Sequence, residues 1–169
     1  MRRVVLIYSS QAARGKRVSI ANVKTQRRSR GWSLAASIFA VAVLINYPWE
    51  LAQMPLYEGA GYDGRTFLYC FLASLGDGLV VLLIFAAGWI AFRRREWFMG
   101  RGARGYLLML AAGLIIAVGI ERVAVGTGQW QYSEQMPRLF GVGLAPIAQM
   151  LVLPPLIFRV VAAWRRRSA

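Results

Sequence analysis

Residues 66–92 read TFLYCFLASLGDGLVVLLIFAAGWIAF, and the only charged residue among them is Asp77. A helix needs about 20 mostly apolar residues to cross the hydrocarbon core of a bilayer. This stretch exceeds that length, and its second half, Leu79–Phe92, carries no charge at all. The segment therefore predicts a membrane-spanning helix.

Three further segments of the chain have the same apolar character. The chain is 57% hydrophobic, whereas an average soluble protein is about 45–50% apolar. The excess is concentrated in Trp32–Trp49 (with a polar extension to Tyr57), Tyr106–Val125 and Leu139–Trp164. Because the connections are short, neighbouring helices should run antiparallel. The predicted fold class is all-α: a polytopic membrane protein with four transmembrane helices in an antiparallel bundle.

Lysine and arginine are distributed unevenly between the two ends of these helices. Of the 21 in the chain, 18 lie in the N-terminal tail, in the connection between the second and third helices, or at the C-terminal end. Only Arg65, Arg122 and Arg138 fall on the other side. Since basic residues favour the cytoplasmic side of a membrane, both termini are predicted to be cytoplasmic.

The predicted domain organisation follows from the same charges. Residues 1–31 are expected to form a basic, disordered cytoplasmic tail attracted to anionic lipid headgroups, unless the native start lies further downstream. Residues 32–164 form the four-helix transmembrane domain, and residues 165–169 form a basic cytoplasmic end. The net charge of +14 is therefore attributed to membrane topology, and no nucleic-acid partner is expected because no binding motif is present.

Several kinds of catalytic site have no counterpart in this sequence. There is no histidine, and Cys70 is the only cysteine. The sequence contains no P-loop, no H-E-x-x-H motif and no G-x-S-x-G motif. The sequence thus predicts no bound metal and no cofactor, and it argues against the common chemistries of soluble enzymes.

Six polar residues within the predicted helices are candidates for an intramembrane site. Ionisable groups inside a bilayer cost several kcal/mol and usually have a function. The candidates are Asp77, Glu50, Glu121, Asn46, Gln53 and Gln149. On the first helix Asn46, Glu50 and Gln53 are spaced i, i+4, i+7 and share one face, and on the second helix Cys70, Ser74 and Asp77 repeat that spacing. We predict a polar funnel that opens outward, with Asp77 near its base.

The same residues also allow structural interpretations. Glu50 and Glu121 can be interfacial side chains in contact with water, and Asp77 can be a purely structural hydrogen-bonded group. Amides such as Asn46 and Gln149 also join helices to one another. Likewise Trp49, Trp130 and Tyr132 can form either an outer aromatic belt or a cap over the funnel that packs on an apolar ligand.

Three strings in the chain resemble those of a family of small bacterial inner-membrane proteins. They are Asn46–Tyr57 (NYPWELAQMPLY), Gly76–Gly78 (GDG) and Gly141–Gln149 (GVGLAPIAQ). The resemblance covers about residues 45–157; it implies a four-helix protein of the bacterial inner (plasma) membrane and supplies no activity. Glu121 followed by Trp130-Gln-Tyr132 is also similar to membrane carotenoid cyclases and hydratases, but no catalytic role is transferred on so short a motif.

Three functions remain open at the level of sequence. The first is a site, binding or enzymatic, for a lipid-like molecule of the isoprenoid type, with a protonated carboxyl as general acid. The second is a small proton- or ion-coupled transporter in which Asp77 loads and unloads a proton. The third is a non-catalytic membrane subunit or assembly factor. The helix faces formed by small residues would then bind a second copy of the chain, which gives a homo-oligomer, or another membrane partner.

Overall fold

The computed structural model describes residues 33–59, 61–100 and 102–167. The predicted basic tail, residues 1–31, lies outside the described residues, as do residues 168–169. The chain divides into a unit of residues Met1–Ala36 and a compact unit of residues Ser37–Ala169. The described residues are 78% helical, and their four long helices are apolar enough to span a membrane.

The helix bounds agree with the sequence prediction for three of the four spans. Helix α1 covers residues 33–53 and ends in the 3-10 turn Met54–Leu56, which gives a candidate span of Ser33–Leu56. Helix α2 is Gly64–Phe92 and helix α3 is Ala103–Gly126. The short turn Trp97–Met99 lies between α2 and α3. These four candidate spans indicate a multi-pass membrane protein.

The ends of α2 follow from the residues that flank it. Asp63 is the N-cap, and its side chain accepts a hydrogen bond from the backbone N–H of Thr66 at 2.8 Å. This bond satisfies one of the free N–H groups of the first turn, and it holds the pKa of Asp63 below its ordinary value. At the other end Arg93 adopts a left-handed conformation (φ 51°), which stops the helix.

The fourth helix begins later than the sequence predicted. Helix α4 is Leu144–Arg167, whereas the apolar run suggested a start near Leu139. Residues Arg138–Leu139 (β1) and Val142–Gly143 (β2) instead pair as a short antiparallel hairpin. Phe140 and Gly141 at its tip both have positive φ, 52° and 78°, which a helix cannot accommodate. At its C-terminal end α4 includes the basic residues 165–167.

Glycines let neighbouring helices approach closely at two points. A Cβ on Gly113 of α3 would clash with the backbone carbonyl of Met150 on α4. A Cβ on Gly78 of α2 would lie 2.8 Å from the Phe39 ring of α1. Close backbone packing of this kind is typical of helix pairs in membranes. The contacts place α1 beside α2, and α3 beside α4.

An aromatic cluster closes the region where α2 leads into α3. The Trp97 indole is buried, stacks on Phe92 and packs against Phe158 of α4. Its Nε1–H donates a hydrogen bond to the Phe85 carbonyl at 3.1 Å. The indole fits only because position 88 is glycine, since any Cβ there would overlap the ring. We call Trp97 with Phe92 and Phe158 the aromatic plug.

Candidate functional site

A cavity of about 640 Å³ lies at the end of the helices opposite the aromatic plug. Its walls come from all four helices and from the loops that follow α1 and α3. On α2 the lining residues extend no further than Val80, well before the plug. The wall is formed by Glu50, Gln53, Met54, Tyr57, Glu58, Gly59, Arg65, Thr66, Tyr69, Leu72, Ala73, Gly76, Asp77, Val80, Ala117, Ile120, Glu121, Gln129, Trp130, Pro146, Gln149 and Met150.

The polar part of the cavity is organised around the Gln149 side chain, which is 2% exposed. Its amide nitrogen lies 2.8 Å from Glu50 Oε1, 2.8 Å from Asp77 Oδ2 and 3.0 Å from Asn46 Oδ1. One residue of α4 therefore joins two residues of α1 to one of α2. We call these four residues with Gln53 the amide–carboxyl cluster.

The cluster holds two carboxyl groups close together. Because Glu50 Oε1 and Asp77 Oδ2 both lie 2.8 Å from one nitrogen, they are within twice that distance of each other. An amide nitrogen carries two hydrogens, so three acceptors share two donors. Two carboxylates at this separation repel each other strongly in an apolar surrounding, and a shared proton or a bound cation removes the repulsion.

Gln53 completes the cluster and has one unused group. Its Nε2 donates to Glu50 Oε1 at 2.8 Å and to Gln149 Oε1 at 3.3 Å. Its Oε1 is buried and has no hydrogen-bond partner. Exchanging the oxygen and nitrogen of this amide would set an oxygen against those two acceptors, so the observed orientation is the favourable one. Gln53 therefore lines the cavity, but its unpartnered oxygen is enclosed by the protein.

Glu121 lies in a separate polar group on the α3 side of the cavity. Tyr132 donates a short hydrogen bond from its hydroxyl to Glu121 Oε2, and Trp130 donates from its indole N–H to the same oxygen at 3.3 Å. The Tyr132 hydroxyl also accepts from the Gly143 backbone N–H at 3.1 Å. Burial, followed by the bond to Glu121, raises the pKa of Tyr132 to about 12.

The loops after α1 and α3 are joined above the cavity. Tyr57 and Tyr132 form an isolated antiparallel bridge, and the Ser133 hydroxyl donates to the Pro55 carbonyl at 3.0 Å. The Tyr57 ring meets Trp130 edge to face. Burial, and then the nearby Glu121 and Glu50, raise the pKa of Tyr57. Tyr57, Trp130 and Tyr132 thus form a cap that is fixed to both loops.

The charge of the cavity wall is strongly one-sided. Glu50, Asp77 and Glu121 line its interior, whereas Arg65, the only lysine or arginine in the lining, is exposed, as is Glu58. In the part of the chain that the structure describes, no group of three His, Cys, Asp or Glu residues is arranged to hold a metal ion.

No protein family, curated protein or solved structure matches this chain. The function is therefore inferred from the chemistry of the cavity. That chemistry consists of hydrogen-bonded carboxyl groups and amides beside apolar walls.

The structure brings most of the sequence-derived candidates together, but with a different arrangement. Asn46, Glu50, Gln53, Asp77 and Gln149 form one cluster, whereas Glu121 belongs to the cap with Trp130 and Tyr132. The sequence predicts that Asp77 lies deeper in the membrane than Glu50, yet both carboxyl groups accept a hydrogen bond from the same amide nitrogen. Trp49 lines no part of the cavity, and its indole nitrogen is buried without a partner.

The face of α2 that lines the cavity differs from the one the spacing suggested. Cys70 and Ser74 are fully buried but do not line the cavity. Arg65, Tyr69 and Ala73 do, at steps of four residues before Asp77. The four-residue spacing of these residues is also visible in the sequence. Because they differ in charge and polarity, the spacing did not indicate a common role.

Proposed function

We propose that this protein is inserted in the bacterial inner membrane as an antiparallel four-helix bundle with both termini cytoplasmic. The four apolar helices support insertion, and the lysine and arginine distribution supports the orientation. Large apolar side chains exposed on the helices, such as Ile90, Leu107 and Ile115, would face lipid. The cavity would then open towards the outer side.

The orientation is tested with single cysteines in a Cys70→Ser background. Glu134 and Glu96 are both exposed, and they lie near opposite ends of the helices. Glu134→Cys should react with an impermeant maleimide on intact cells, and Glu96→Cys should react only after the membrane is permeabilised. The reverse pattern would overturn the proposed orientation.

We further propose that the cavity binds an amphiphilic, lipid-like molecule, with isoprenoids as one such class. The supporting observation is that a single cavity combines the amide–carboxyl cluster with apolar walls that reach the outer surface of the helices. Leu72 of α2 and Ile120 of α3 line the cavity and are nevertheless 56% and 43% exposed. A molecule within the bilayer would thus reach the polar cluster from the side.

The cluster also suggests a chemical role if the bound molecule is transformed. Glu50 and Asp77 are held by the same amide, and a proton shared between them would be positioned beside a bound molecule. A carboxylic acid in an apolar site can protonate its ligand as a general acid. We leave the reaction open, since binding alone would need the same residues.

The binding proposal is tested by filling the cavity. Ala73 lines the cavity on α2, whereas Ala87 lies on the exposed surface of the same helix. The protein should be extracted from its native membrane with its surrounding lipids, and bound molecules identified by native mass spectrometry. Ala73→Trp should lose a ligand that wild-type protein and Ala87→Trp retain. If wild-type protein carries no specific molecule, and cells with and without the protein have identical lipid compositions, the proposal fails.

A proton-coupled transporter is the second candidate, and one observation favours it. Two carboxyls that share a single amide would exchange a proton for a cation without large movement of the helices. Asp77→Asn should then abolish transport in proteoliposomes and leave the folded protein intact. A fully active Asp77→Asn protein would exclude this version.

The structure offers less support for the third candidate, a subunit or assembly factor. The small-residue face of α3 is already occupied, because Gly113 packs on Met150 and Ala117 is 3% exposed. A homo-oligomer or membrane partner would have to use other surfaces. Co-purification of a stoichiometric partner would favour this candidate.

A further inference from the structure

We propose that the space beside Gly76 is a passage between α2 and α3 through which the apolar chain of the bound molecule reaches the bilayer. This inference rests on the proposed amphiphile site and specifies the class of molecule, namely one whose chain is longer than the cavity. It follows from the way the four helices pack and from the exposure of the residues at one edge of the cavity.

Helix contacts close three sides of the bundle. Gly78 of α2 packs on Phe39 of α1. Gln149 of α4 is hydrogen-bonded to α1. Gly113 of α3 packs on Met150 of α4. The remaining side of the bundle lies between α2 and α3.

Along this fourth side the two ends of the bundle differ. At one end the Trp97 indole lies against both helices, because a Cβ on Gly88 of α2 would overlap the ring and a Cβ on Gly105 of α3 would lie 3.7 Å from it. Towards the other end the cavity has an exposed edge on each helix. Leu72 on α2 and Ile120 on α3 both line the cavity and are 56% and 43% exposed. The cavity is therefore open to the side in this part of the bundle.

Gly76 lies at the α2 edge of this opening. It lines the cavity and is exposed, and a Cβ placed on it would meet no atom within 4 Å. Gly78 and Gly88 of the same helix differ, because a Cβ on either would lie too close to a neighbouring aromatic ring. Gly76 thus leaves a space that no protein atom fills, and this space joins the cavity to the outer surface of the helices.

The size of the cavity indicates that a membrane lipid would extend beyond it. A cavity of about 640 Å³ is of the size that encloses most of a drug-sized molecule. A long acyl or polyprenyl chain is larger, and it is stabilised wherever its apolar surface is removed from water. With the head at the amide–carboxyl cluster, the chain would leave through the passage and lie in the bilayer, without crossing the cap or the aromatic plug. The site would then select the head group and accept chains of different lengths.

The test compares two prenols with the same hydroxyl head: geraniol, whose chain is short enough for the cavity, and solanesol, whose chain is several times longer. Binding to the purified full-length protein in lipid nanodiscs is measured by native mass spectrometry, with empty nanodiscs as the reference for partition into lipid. Wild-type protein should bind both prenols, with affinities that differ by less than about threefold after that correction. A molecule that co-purifies from the native membrane should likewise have a chain too long for the cavity.

Two variants fill the passage from opposite sides, and each has a matched control outside the cavity. Gly76→Phe should weaken the binding of solanesol, and of the co-purified molecule, roughly tenfold or more. Gly119→Phe, at an exposed glycine of α3 with open space beside it, should not. Ile120→Trp should act like Gly76→Phe, whereas Ile115→Trp, at a position of the same helix that is 72% exposed, should not. Geraniol needs no passage for its chain, so its affinity should change by less than about threefold in all four variants. Circular dichroism shows whether each variant is folded, and either filling variant suffices for the test.

The possible failures are separable. If neither prenol binds above empty nanodiscs and no specific molecule co-purifies with the wild-type protein, the proposed amphiphile site itself is wrong. If wild-type protein binds geraniol but not solanesol, or if the co-purified molecule fits wholly within the cavity, the passage is wrong and the amphiphile site stands. Binding of solanesol or of a co-purified long-chain molecule that folded Gly76→Phe and Ile120→Trp proteins leave unchanged would also overturn the inference.

Discussion

Replacing Gln149 by methionine should destabilise the protein more than any other single loss of an amide in the cavity. Methionine has a similar length and flexibility but no hydrogen-bonding amide. Gln149 joins α4 to α1 and α2 through Asn46, Glu50 and Asp77. Its loss would leave the buried Glu50 carboxyl and the half-buried Asp77 carboxyl without the group that holds them together.

The magnitude follows from the bonds that Gln149 makes. Its nitrogen can serve two of its three acceptors at once, and its oxygen accepts a bond from Gln53. Polar contacts between membrane helices are worth about 0.6 kcal/mol on average and about 1.7 kcal/mol at most. Losing three such bonds therefore costs about 2–5 kcal/mol.

The assay is reversible unfolding of the purified protein in bicelles by titration with sodium dodecyl sulfate, followed by circular dichroism. Gln135→Met, which changes an exposed loop glutamine, should alter the free energy of unfolding by less than about 0.5 kcal/mol. In an Asp77→Asn background Gln149→Met should cost about 1 kcal/mol less, because one of the orphaned charges is gone. A Gln149→Met protein as stable as wild type would refute the central role of this amide.

Two further predictions concern packing and pH. Gly113→Leu should lower the free energy of unfolding by about 1–3 kcal/mol, because the new side chain would meet the Met150 backbone. Gly119→Leu, on the open face of α3, should have little effect. Equal stabilities of the two variants would contradict this prediction. The pKa of Tyr132 is raised from 10.0 to about 12, so the stability it contributes should be complete below pH 10 and lost as the pH rises through about 12. Between pH 10 and 12 the melting temperature of Tyr132→Phe should therefore fall less steeply than that of the wild-type protein. Parallel curves of melting temperature against pH for the two proteins would contradict this prediction.

The four helices were predictable because each contains a continuous apolar run long enough to cross a bilayer. The start of α4 was not, since Leu139–Gly143 is as apolar as a helix but contains Phe140 and Gly141 at positive φ. Hydropathy measures the preference of side chains for lipid and does not record backbone conformation. The hairpin therefore replaced the predicted first turn of the helix.

The candidate site was predictable within each helix but not between helices. Helical spacing places Asn46, Glu50 and Gln53 on one face, and the structure has all three in the cluster. Which helix packs beside which depends on tertiary contacts such as Gly113 against Met150, and periodicity carries no information about them. The sequence therefore does not show that Glu121, which lines the same cavity as Glu50 and Asp77, is bound by Trp130 and Tyr132.

The position of Trp97 bears on how a bound molecule could enter and leave the protein. The indole fills the space beside Gly88, and the lining of the cavity on α2 ends at Val80, before the indole is reached. A bound molecule that leaves through the outer opening would not meet the indole. A molecule that crossed the bilayer past the aromatic plug would have to displace the Trp97 indole, whereas binding or a reaction within the cavity would leave the indole in place.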